Sequence, residues 1–88
     1  MCTMIVEKVA LTATAKGGGN WFKVDQANVG YDHPFRLPLE HAVTIDFVNE
    51  AQGPGARVAV ELTPESAQRL LDTLRDVLAQ GAKAEAAV

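Results

Sequence analysis

One cysteine in 88 residues excludes an intrachain disulfide and suits a reducing compartment. There is no basic cluster: eight Lys and Arg stand against eleven Asp and Glu, for a net charge of −3, which argues against nucleic acid as a partner. No apolar run is long enough to span a bilayer. The opening "MCTMIVEKVA" is interrupted by Glu7 and Lys8, so it reads as neither a signal peptide nor a membrane segment. Cytoplasm is therefore the expected location. Nucleophile elbow, Ser-His-Asp order and CxxC pair are all missing. Only two histidines occur, and both fall within "YDHPFRLPLEH", Tyr31 to His41.

What is present is an ordinary globular composition, 48% apolar, in a length that makes one small domain over residues 1–88. Thr3 to Ala15 is rich in β-branched residues without helical period and reads as a strand, with a bulge near Glu7-Lys8 or burial on both faces. "KGGGN" (Lys16 to Asn20) is a turn. In "WFKVDQANVGYD", Phe22 and Val24 share a phase with Ala27, Val29 and Tyr31 only if a residue is inserted near Asp25-Gln26. "HAVTIDFV" and "ARVAVEL" alternate cleanly as two further strands, joined by the turn "NEAQGPG".

From Thr63 the period becomes helical. Thr63 is a good N-cap, Pro64 suits the first helical position, and Glu65 complements the positive end of the dipole. Ala67, Leu70, Leu71, Leu74, Val77 and Leu78 form one stripe. Gly81 is expected to end the helix, leaving a frayed tail over 82–88. The expected fold is α+β: a four-stranded, mostly antiparallel meander (about 3–62) with one C-terminal helix (about 64–80) packed on one face. The opposite face still carries Met4, Val6, Ala10, Ala42, Val48 and Ala59, and the edge strands need cover. A homodimer or higher homo-oligomer is expected on that ground.

The candidate chemistry gathers around the histidines. Pro34 and Pro38 stiffen the loop between His33 and His41, so both rings can reach one end of the sheet. Neutral imidazoles bind zinc, iron, copper or nickel, and a neighbouring carboxylate can orient the second nitrogen. Cys2 supplies a thiolate, and loss of Met1 would add an α-amine able to chelate beside it. Cys2, His33 and His41 thus make a three-ligand set for a divalent transition metal, provided the first strand neighbours the strand that starts at His41. Asp32 and Glu40 would support it, and Tyr31 and Trp21 could line a small-molecule pocket. Asp46, within "VTIDFV", and His41 are the acid–base candidates; Asp46 can equally face solvent and pair with Arg57 across the hairpin. Each of these residues also has an ordinary structural use: His33 in a turn, His41 in a strand, and Cys2 as a small apolar residue.

The combination "MCTMIVEK", "GNWFKVDQANVGYDHP" and "EHAVTIDFVNEAQGPGARVAVELTPESA" resembles a family of small, mostly actinobacterial proteins of unknown function. The resemblance spans about residues 2 to 75 and implies one compact cytoplasmic domain. It also implies a D-H-P-x-H-x-P-x-E-H loop pattern, from which this chain departs by carrying Arg36 in place of the middle histidine. No activity follows from it. Two functions remain open from the residues: a domain binding a metal ion or small molecule, with or without catalysis, and a non-catalytic assembly module acting through its apolar sheet face.

Overall fold

A computed structural model describes residues 2–87. Four strands form one sheet in the order β1-β2-β3-β4, with every neighbouring pair antiparallel: β1 (Ile5–Gly17), β2 (Asn20–Asp32), β3 (Ala42–Val48) and β4 (Arg57–Leu62). A 3-10 turn (Glu50–Gln52) lies between β3 and β4, and a helix, α1 (Pro64–Ala86), follows β4 after Thr63 alone. This is the α+β meander that the alternation and the change of period indicate.

The β1–β2 turn is Gly18-Gly19, with φ of 60° and 88°. Two consecutive residues at positive φ make the hairpin turn whose twist matches that of the flanking strands, and glycine adopts it without steric cost. The hairpin is longer than the rest of the sheet. β3 pairs with β2 only from Gln26 to Asp32, so Asn20–Asp25 is paired to β1 alone.

β2 itself carries no inserted residue, so Phe22 and Val24 keep the phase opposite to Ala27, Val29 and Tyr31. Register shifts between Ala10 and Ala13, where two residues of β1 face the single residue Asp25. The bulge is therefore in the first strand, three residues beyond the Glu7-Lys8 position expected for it and opposite the Asp25-Gln26 site expected in the second. Bulges bend and twist the strand that carries them. Here the distal hairpin curves toward β4, so that a side chain at Gly17 would meet Val58 and Phe22 at 3.3 and 3.4 Å. Val24, Ala27, Ala42, Val48 and Ala56 are the buried apolar residues among those described.

Asn49 is buried with them. Its backbone N–H donates to Ala56 O, and its side-chain amide donates to Lys23 O at 3.1 Å. The β3–β4 connection is thereby fastened to the middle of β2.

The helix departs from expectation in two ways. Thr63 caps it as anticipated, its hydroxyl accepting from Ser66 N at 3.0 Å. It does not stop at Gly81 but runs to Ala86, so the frayed tail is corrected to helix. One glycine costs a helix about 1 kcal/mol relative to alanine, and the alanines, Lys83 and Glu85 that follow are good helix formers. Val88 lies outside the described residues. Nor does the stripe settle onto the sheet along its length. The first turn touches β3 and β4, and every residue from Gln68 to Ala87 is exposed. A small part of the cover expected from the helix is supplied instead by the curved end of the β1–β2 hairpin, at Val58.

Candidate functional site

Strand order decides which candidate residues can meet. β2 lies between β1 and β3, so the adjacency that would bring Cys2 beside His41 does not occur. The β2–β3 pairing, by contrast, places Tyr31 opposite Val43 and Asp32 opposite Ala42. The ends of the 33–41 loop must then emerge side by side. His33 and His41 are the two ends of that loop, and their ring centroids lie 5.5 Å apart. Tyr31 stacks on His41 at 5.6 Å with an interplanar angle of 25°. Ring contacts with Tyr31 and His33 restrict the rotation of His41.

Glu40 joins them. One ligand atom from each of His33, Glu40 and His41 lies within 4.8 Å of the other two. His33 and Glu40 are exposed and His41 is half-buried. The carboxylate expected to support the site thus comes within the same reach as the two rings. Cys2 is exposed and stands outside this group, bordering instead a shallow groove of about 360 Å³ with Asp32, His33, Asp46 and Glu61. The α-amine anticipated on Cys2 depends on loss of Met1, which lies outside the described residues.

Sequence reading missed the residue that holds the loop in place. Glu61, on β4, accepts backbone N–H groups from Phe35, Arg36 and Leu37, the latter two at 3.0 and 3.1 Å. The same bonds hold its carboxyl below the usual range; the Phe35 N–H is the largest cause, and partial desolvation opposes it. Glu61 alternates with Arg57 and Ala59 on the polar face of β4, a pattern that gives no hint of three backbone partners 24 to 26 residues away. Leu39 N donates to Leu37 O at 2.8 Å, adding a tight turn before Glu40.

A second carboxylate organises the entry to the loop. Asp32 accepts from His33 N at 2.8 Å and from Thr3 N at 3.4 Å. Its carboxyl is lowered chiefly by the His33 N–H, against an opposing desolvation. The Thr3 hydroxyl donates to Tyr31 O, so the start of the chain is tied to the strand that delivers His33.

Of the remaining candidates, Asp46 borders the same groove as Cys2 and Trp21 lies apart. Asp46 is paired with Arg57, whose Nη2 and Nε donate to one carboxylate oxygen at 2.8 and 3.1 Å. Asp46 alternates with Thr44 and Ala42, on the face opposite to Val43 and Ile45. Trp21 pairs with Lys16 beside the glycine turn, at the other end of β2 from Tyr31, and is 68% exposed. At about 3.3 Å per residue it is on the order of 30 Å from the histidines. It lines no pocket with them.

The fold and this cluster define a small α+β domain with an exposed two-histidine, one-carboxylate rim at one end of its sheet. The chain belongs to a family of unknown function (DUF6295), which matches residues 1–88 and so covers the whole length. No curated protein and no solved structure matches it. Among the described residues no helix is long and apolar enough to cross a membrane.

Proposed function

We propose that this chain is a small cytoplasmic metal-binding domain in which His33, Glu40 and His41 hold a divalent transition metal. The observation that carries the reading is the convergence of three donor atoms within 4.8 Å from the two ends of one braced loop. Two imidazoles and a carboxylate suit zinc and also iron, copper or nickel. With bonds of about 2.0–2.1 Å, tetrahedral donors stand about 3.4 Å apart. Side-chain rotation at a solvent-facing rim closes that difference. Three protein ligands leave a coordination position for water or a small molecule, the arrangement of sites that exchange ligands.

In this reading Tyr31 packs against the His41 imidazole, Asp32 fixes the His33 backbone and Glu61 holds the loop. Asp46 has a structural role, as the ion-pair partner of Arg57. His41 acts as a ligand, and Cys2 borders the adjoining groove.

Elemental analysis of untagged protein tests the reading. One equivalent of metal per chain is expected, with its loss in His33→Ala and in His41→Ala while the circular dichroism spectrum is retained. Absence of metal both as purified and after incubation with zinc overturns it.

A further inference from the structure

We infer that the chain is one half of a homodimer in which the apolar stripe of each α1 covers the apolar face of its partner's sheet. The exposed area is too large for a compact monomer. The chain exposes 6763 Å², whereas a compact monomer of 9.4 kDa exposes about 5,000 Å². Its radius of gyration is 15.2 Å, against about 12 Å for a compact domain of this length. The excess is roughly 1,700 Å² per chain; two copies burying it would form an interface within the 2,000–5,000 Å² range of obligate dimers.

The uncovered surface is apolar and lies where a second copy can reach it. Along α1 exposure rises steadily: Leu70 is 44% exposed, Leu71 49%, Leu74 53%, Val77 57% and Leu78 73%. These positions recur at helical spacing and make one stripe. Across the sheet, Val29, Ile45 and Val60 are in register on one face, beside Val43 with Leu62 and Phe47 with Val58, and all remain only half-buried. A helix stripe without a sheet and a sheet face without a full helix are the two halves of one two-layer packing. A twofold axis satisfies both at once, since each copy gives the other what it lacks.

Charge disfavours a lipid occupant. α1 carries Arg69, Arg75 and Lys83 against Glu65, Asp72, Asp76 and Glu85, whereas helices that lie on membranes have a basic polar face. The surface adjoins the histidine rim at Val43, which pairs with Tyr31, but it contains none of the three proposed ligands, so the inference stands independently of metal.

The test is sedimentation velocity on untagged full-length protein at micromolar concentration, with and without chelator. A species of twice the chain mass is expected in both, and Leu74→Glu should shift it to monomer while keeping its helical spectrum. A photocrosslinker at Leu71 should then form adducts with the partner's β2, β3 or β4. A monomeric wild type, a Leu74→Glu variant that remains dimeric, or adducts confined to the partner's α1 would overturn the proposal.

Discussion

Glu61 of β4 accepts the backbone N–H of Leu37 at 3.1 Å, across a separation of 24 residues, and the same carboxylate takes those of Phe35 and Arg36. One side chain thus fixes the middle of the loop whose two ends carry the histidines. A loop with two prolines is already restricted; three charge-assisted bonds to consecutive amides give it one conformation.

Removing that carboxylate should loosen the site without dismantling the sheet. Glu61→Ala is expected to lower zinc affinity by about 10–100-fold, the range seen when supporting contacts of a metal site are lost. Amide exchange at Phe35, Arg36 and Leu37 should speed up, while that of β2 and β3 should hold. Unchanged affinity would mean that the loop is positioned by other contacts.

Acid should act on the same contact. The Glu61 carboxyl is lowered in the folded chain, so it binds fewer protons than in the unfolded one. Its contribution to stability is accordingly present above the unfolded carboxylate range and lost as pH falls through the lowered folded value. Denaturation midpoints measured from pH 6 down to pH 2 should decline below about pH 4. The decline should be shallower in Glu61→Gln, which does not titrate. Parallel profiles for the two proteins would assign the acid sensitivity elsewhere.

Gly30 is required by space. A side chain there would stand 2.9 Å from the Thr44 hydroxyl and 3.1 Å from the carbonyl oxygen of Ile5. Gly30→Ala should destabilise the chain by about 1–3 kcal/mol, the usual cost of overpacking. Thr44→Ala in the same chain should restore part of that loss, because it removes the closer contact and leaves the backbone one. Urea unfolding of the single and double variants measures both.

How much of this was legible follows from range. The meander, the turns and the capped start of α1 are written in short-range pattern: Gly18-Gly19, the alternation from Ala42 to Val48, and Thr63-Pro64. A bulge in β1 was one reading of its mixed faces, yet its position was not legible, because no local pattern marks which residues pair across the hairpin. Cys2 was grouped with the histidines on an assumed strand order, and no local pattern encodes that order. The histidine pair was readable because the loop ends belong to adjacent strands. Glu61 and the uncovered α1 stripe were not readable, since both depend on where distant elements sit.

The claim at the centre of this account is tested most directly by following the imidazole signals of His33 and His41 by NMR during a zinc titration of untagged protein. Joint movement of both rings, complete at one equivalent per chain and displaced to higher zinc concentration by Glu40→Ala, is the predicted result. Signals that stay in place, or that shift independently and without saturation, would contradict it.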